Sequence, residues 1–366
     1  MLSATNFNLR GINSDSIYRN IFAILIIWMA AAASFTGFIN KWGLRDGYQK
    51  FGLEVMLDGT AYKPFVYRQL TLKLSIFVND NLPKSIKDRV QQKKSFQEYI
   101  KYFKLENKSN DYKFKHFIIY SITFMFFILA LLALYITLLE INGDYFSSLL
   151  TTIFFGLLIP YLETEGGYFY DFPEIAFMFL AIRFCVQNNL LYLVCTVVLA
   201  TLNKESFLLF IPTLYPLIAS KNSPKKSIII STILILVAML INIAIKQSYA
   251  HNSGGVVEFH LIENLKNYIK IGTYLEFETT YGALSPRGFN IINIFIFFIL
   301  LRSTFAQIPK QFKQHIVLCS CISIPLFISF AATNEIRNLS FLYFGFCLLL
   351  SYNIRKLQAN SKLMDS

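Results

Sequence analysis

The chain has 366 residues, of which 55% are hydrophobic and 15% charged, with 37 Phe, 21 Tyr, a net charge of +12 and a mean hydropathy of +0.47. A soluble domain carries about a quarter charged residues, so this composition excludes an ordinary soluble enzyme. The apolar runs approach the roughly 20 residues that cross a bilayer and lack strand-like alternation, which excludes a β-barrel. The expected fold is all-α, a polytopic transmembrane bundle of about ten helices forming one domain, 1–366. Its excess of lysine and arginine reads as orientation and contact with anionic lipid, not as nucleic-acid binding.

In chain order, helices are predicted at 18–40, 116–140, 146–162, 173–187, 189–203, 205–220, 227–247, 289–303, 315–333 and 338–354. The first apolar run is too long for a cleavable signal peptide and lacks a small-x-small site, so it reads as a retained helix. A long external loop follows, 41–115. It opens with Arg45-Asp46-Gly47 and continues to Leu57-Asp58-Gly59. A carboxylate just outside a membrane helix can serve as general base toward a hydroxyl; Asp-Gly also makes ordinary turns. In Pro64-Phe65-Val66-Tyr67-Arg68, Tyr67 offers an interfacial aromatic. Arg68 offers a guanidinium suited to phosphate, or one that snorkels to headgroups. The weakly amphipathic run 69–78 and the lysine-rich stretch 84–115 read as a segment that lies on the membrane surface.

The loop after the third helix is acidic, with Glu163 and Glu165 before Tyr170-Asp171-Phe172-Pro173-Glu174. Asp171 and Glu174 are three apart and share one helix face; Asp171 also suits a helix N-cap. Lys204 and Glu205 stand in a minimal turn between apolar helices, where ionisable groups are costly and face a polar interior or each other. A second external loop spans 248–288. Glu335 and Arg337 begin the last helix. Glu335 suits the positive end of that helix dipole, whereas Arg337 opposes it, which points to an anionic partner. The five cysteines read as small packing residues. The four histidines show no metal-ligand spacing, and no P-loop, dinucleotide fingerprint or nucleophile elbow occurs, so neither metal nor cofactor is expected.

Placing the N-terminus in the cytoplasm puts Arg10, Arg19, Arg183, Lys225, Lys226 and Arg355, among others, on cytoplasmic segments, while the short external loops hold Lys204 and Arg337. Both termini are then cytoplasmic and the acidic and arginine-bearing loops share the outer face.

The order of these features resembles bacterial multi-spanning glycosyltransferases of the GT-C superfamily: a first helix, a long external loop with Asp46, Pro-Phe-Val-Tyr-Arg, Tyr-Asp-Phe-Pro-Glu and Leu-Asn-Lys-Glu-Ser. The resemblance implies a polyprenyl-phosphate-linked sugar donor and an acidic base in the first external loop, with inversion at the anomeric carbon. It makes Asp46 the base candidate and sets Arg68, Lys204 and Arg337 near the donor phosphate; Asp58 is the second carboxylate that the loop residues themselves offer. Tyr67, Asp171, Glu174, Glu205 and Glu335 complete the binding residues. All are expected to converge on one cavity, because buried charges need partners. The implied partners are the lipid-linked donor, a glycan or lipid-linked acceptor and membrane lipids, at the periplasmic face of a bacterial inner membrane. A polysaccharide repeat-unit polymerase would use the same substrates. A transporter or flippase of lipid-linked sugars would show paired broken helices or repeat symmetry, which the sequence lacks.

Overall fold

A computed structural model describes residues 14–255, 258–279 and 284–364; Arg10, one of the charges used for orientation, lies outside the described residues. Each of the ten predicted segments falls largely on helical elements, one of them broken. Helix α1 covers Ser14–Trp42. The long loop after it is itself folded, into α2 (Leu53–Leu57), a 3₁₀ turn at Phe65–Tyr67, α3 (Leu70–Asn81), α4 (Lys84–Gln91) and α5 (Lys94–Tyr102). Then come α6 (Asn110–Asn142), α7 (Tyr145–Leu162), α8 (Asp171–Val186) and α9 (Leu190–Asn203). The predicted helix at 205–220 breaks into α10 (Phe207–Phe210), a 3₁₀ turn at Ile211–Leu214 and α11 (Tyr215–Ala219). Pro212 and Pro216 supply no N–H there and interrupt the ladder. The chain finishes with α12 (Pro224–Ser248), α13 (Leu261–Ile269), α14 (Ile291–Thr304), α15 (Lys310–Phe330), a 3₁₀ stretch at Ile336–Leu342 and α16 (Tyr343–Met364). The described residues depart from all-helix at one two-residue antiparallel ribbon, which pairs Phe277 with Pro286 and Glu278 with Ser285.

Among the described residues five helices, α1, α6, α7, α12 and α15, are long and apolar enough to cross a membrane. Helix α6 has 33 residues, about 50 Å at 1.5 Å per residue, which exceeds the roughly 30 Å of a hydrocarbon core. Its first turns therefore stand clear of any bilayer that the rest crosses. There Phe114 and Ile118 pack with Phe96, Ile100 and Leu105 into a small second core. That core is why the lysine-rich stretch folds instead of remaining an open loop. Helix α8 is the central element: residues 171–179 are buried without a break, against α6 and α9. An apolar surface on every side is what a fully enclosed helix requires. Its charged first turn is thus carried inside the bundle.

The two ends of the bundle differ. At one end Arg183 pairs with Glu140 at 3.6 Å, Arg355 donates to the Asn142 carbonyl at 2.7 Å, and Asn222 donates to Asn188 at 2.8 Å. The 163–170 loop, the end of α9 and the start of the 336–342 stretch meet at the other.

Candidate functional site

The site is built around two tyrosines in the 163–170 loop. The Tyr168 and Tyr170 rings stack with centroids 4.9 Å apart and planes 11° from parallel. Arg68 lies 4.4 Å from the Tyr170 centroid and donates to the Tyr170 hydroxyl. Arg45 and Arg337 each lie 4.9 Å from the Tyr168 centroid. Cations over aromatic faces are held by the ring quadrupole, so the stack organises three guanidiniums at one place.

The carboxylates come from α8. Asp171 begins the helix and reaches back, its Oδ2 accepting from the Tyr168 backbone N–H at 3.0 Å. It also accepts from Lys204 Nζ at 3.3 Å and from Arg337 Nη1 at 3.2 Å. Glu174, one turn along, accepts from Lys204 Nζ at 2.5 Å and from Ser206 Oγ at 3.4 Å. Lys204 is placed by the end of α9: its backbone is extended, and Asn203 donates to the Tyr170 carbonyl at 2.9 Å. Arg337 also donates to Glu335, and Arg68 lies 3.6 Å from Glu205. Tyr67 is half-buried, and burial, then the Glu205 charge, raise its pKa.

Arg68, Asp171, Glu174, Lys204, Glu205, Glu335 and Arg337 therefore converge as the sequence predicts. Asp46 and Asp58 do not join them. Arg45 has a left-handed backbone, φ 64°, which sends consecutive side chains to different sides of the turn. The Arg45 side chain goes to the tyrosine stack. Asp46 goes to α6, where it accepts from the Tyr112 hydroxyl and meets His116 Nε2 at 2.9 Å. His116 in turn holds the Tyr99 hydroxyl at 2.5 Å through Nδ1. Burial alone would raise the Asp46 pKa; the hydrogen bond and charge of His116 and the Tyr112 hydroxyl outweigh it and hold it below the ordinary value. Asp58 is exposed and caps α2, its N–H bonding to the Glu54 carbonyl. With Gly59 at φ 70°, it makes the ordinary Asp-Gly turn.

Besides Tyr168 and Tyr170, two charged site members are absent from the predicted set. Arg45 stands next to the carboxylate that drew attention in the sequence. Among the described residues it pairs with no carboxylate; its Nε donates to the Gly167 carbonyl at 3.0 Å. The other is Glu163, 2% exposed. Burial first, and then the Asp171 charge, push its pKa well above the ordinary carboxylate range. Its Oε2 has no hydrogen-bond partner, and neither do Arg68 Nε, Arg337 Nε and Glu205 Oε2. Buried polar atoms are almost always satisfied, so four unpaired atoms in one cluster set it apart from the surrounding core. Glu163, Asp171, Glu174 and Arg337 also line an internal cavity of about 10 Å³, roughly one water. Glycine is required at 167, where a Cβ would come within 2.5 to 2.8 Å of Trp42, Glu163 and Phe38. A Cβ at Gly166 would lie 3.4 Å from Arg337 and 3.6 Å from Arg45, at ordinary contact distance, so both guanidiniums flank this residue.

Compared with family models, with curated proteins and with solved structures, the chain matches none.

Proposed function

We propose that the chain is an integral membrane glycosyltransferase of the GT-C type, moving a sugar from a polyprenyl-phosphate-linked donor to a glycan or lipid-linked acceptor. The proposed location is the periplasmic face of a bacterial inner membrane, with both termini cytoplasmic. The five membrane-length helices support the membrane assignment. The segregation of Arg183, Arg355 and the Lys225–Lys226 loop from the tyrosine stack supports the orientation.

The observation that carries the activity is the pair of guanidiniums, Arg45 and Arg337, on one tyrosine ring, with Arg45 lacking a carboxylate partner among the described residues. Arg337 is already met by Asp171 and Glu335, so Arg45, with a second guanidinium beside it and no such carboxylate, is the cation that favours an added anion. A phosphate at headgroup level fits guanidinium geometry and charge. In transfer, the acceptor hydroxyl oxygen forms the new bond to the anomeric carbon. The anomeric carbon–phosphate oxygen bond breaks, and the electron pair leaves with the phosphate, whose growing charge the arginines stabilise. The hydroxyl proton passes to a carboxylate. Both Asp46 oxygens are engaged, so we assign Asp46 to positioning Arg45, and assign the base role to Glu163, whose Oε2 is free. A raised carboxylate pKa, nearer the working pH, favours that role.

The test is release of polyprenyl phosphate from a panel of polyprenyl-phosphate hexoses by the purified chain in nanodiscs supplied with a membrane-extract acceptor. Transfer is expected, lost in Arg45→Ala and Arg337→Ala. No release from any donor would overturn the proposal. Elongation of a lipid-linked repeat unit without single-sugar transfer would favour the polymerase.

A further inference from the structure

The segment between α12 and α14 has no role in the site above, yet it is built with care. Helix α13 is tied to the end of α15: the His260 N–H donates to the Ser329 carbonyl at 2.8 Å, and Asn264 Nδ2 donates to the Ile328 and Ala331 carbonyls at 2.9 and 2.8 Å. These carbonyls belong to the last turn of a helix and its exit, which have no partner within the helix. Helix α13 is thereby fixed where a membrane-length helix ends, at the same end of the bundle as Arg337.

Its opposite face is apolar and uncovered. Ile262, Leu265 and Ile269 follow the i, i+3, i+7 spacing of one helix face, and Ile262 is 66% and Ile269 83% exposed. Ile271, 78% exposed, and Leu275 extend the ridge. Such a ridge at the end of a spanning helix fits the boundary between headgroups and acyl chains.

Behind it is an open cavity of about 400 Å³. Its walls include Asn267, Lys270, Thr273, Glu276, Arg287 and Asn334. Ridge and wall alternate along the chain: Ile269, Ile271 and Leu275 are the neighbours of Lys270, Gly272 and Glu276. Amides and hydroxyls sit among charges of both signs, and Arg287 is already committed to Glu165 and Glu276. A bare anion would find no surplus of positive charge; a neutral, hydroxyl-rich group would find donors and acceptors on several sides. The cavity also shares a wall with the arginine cluster. Glu165 lines it one residue before Gly166, and Thr164 Oγ1 donates to the Asn334 carbonyl at 2.5 Å.

We propose that this cavity is the acceptor site and that the acceptor is itself lipid-linked: its sugar headgroup occupies the cavity while its hydrocarbon chain lies along the Ile262–Leu275 ridge. The inference rests on the glycosyltransferase reading and selects between the two acceptor classes it leaves open. The full chain in phosphatidylcholine nanodiscs is photolabelled with decyl glycosides of glucose, galactose and N-acetylglucosamine that carry a diazirine in the alkyl chain, and the labelled peptides are identified by mass spectrometry. Label in 258–278 is expected, competed by the plain glycoside and not by decanol. Gly272→Trp fills the cavity in open space, since a Cβ there meets nothing within 4 Å. It should cut the glycoside-dependent label by about tenfold or more with an unchanged melting temperature. Ile269→Glu should do the same from the ridge. Equal competition by decanol, no label in this segment with any glycoside, or full labelling of Gly272→Trp would overturn the inference. Binding of farnesyl phosphate is measured in parallel: if Arg45→Ala and Arg337→Ala leave it unchanged, the glycosyltransferase reading fails instead.

Discussion

At the residue scale the Arg45 and Arg337 guanidiniums beside Tyr168 make the sharpest demand. A charge-assisted hydrogen bond is worth about 1.5–3 kcal/mol. Arg45→Ala or Arg337→Ala should therefore weaken farnesyl phosphate binding by about 10- to 100-fold in a titration of the nanodisc-embedded protein. Lysine at either position should recover only part of the loss, because the planar fork is gone. Glu163 makes a different demand. Its folded pKa is raised above the unfolded value of about 4.3, so its contribution to stability is complete below that value and is lost as pH rises through the folded pKa. Melting temperatures taken from pH 4 upward should therefore fall more steeply in the parent than in Glu163→Gln, which cannot ionise. Equal slopes would show that Glu163 is already ionised in the fold. The sign reverses at Asp46. Its depressed pKa stabilises the fold above about 3.9 and that stability disappears as pH falls through the folded value. As a positioning residue, Asp46→Asn should weaken farnesyl phosphate binding in parallel with Arg45→Ala. A fall in turnover with donor binding intact would return the base role to Asp46.

The elements carry these residues by different means. Helix α8 delivers Asp171 and Glu174 one turn apart into the bundle, and Lys204, at the end of α9, pairs with both while Arg337 also meets Asp171. Removing one partner of a buried ionic group leaves the other uncompensated, at a cost of about 3–5 kcal/mol. Lys204→Met should therefore melt well below the parent, and Lys204→Met combined with Asp171→Asn and Glu174→Gln should regain much of that loss. In helix α13 one side chain, Asn264, supplies two of the bonds that tie it to the end of α15. Asn264→Ala removes the bonds to Ile328 and Ala331. Amide exchange should then speed up across 261–275 while α8 keeps its protection.

At the scale of the whole molecule, the two ends of the bundle are chemically distinct, and labelling reads the difference directly. In a background without the five native cysteines, an impermeant maleimide should reach cysteines placed at exposed Tyr48 and Ala250 in intact cells, and should reach one at Lys225 only after permeabilisation. The reverse pattern would invert the orientation and move the proposed site to the cytoplasmic face.

Hydrophobic run length determined a great deal without the structure. The ten predicted segments fall largely on helical elements, five of them on helices that among the described residues are long and apolar enough to cross a membrane, because a long apolar stretch removed from water must satisfy its own backbone bonds. Pro212 and Pro216 break 205–220. The cost of isolated charges in such surroundings likewise made Arg68, Asp171, Glu174, Lys204, Glu205, Glu335 and Arg337 readable as a set. Tertiary structure alone decided what lies next to what. Asp46 left the set and Arg45 entered it because one left-handed residue points neighbouring side chains to opposite sides, a backbone angle that no composition or spacing encodes. Glu163 gained its significance from burial beside Asp171. The 41–115 segment became an ordered scaffold because α6 is long enough to offer Phe114 and Ile118 to Phe96 and Ile100, a contact between surfaces that local pattern cannot pair.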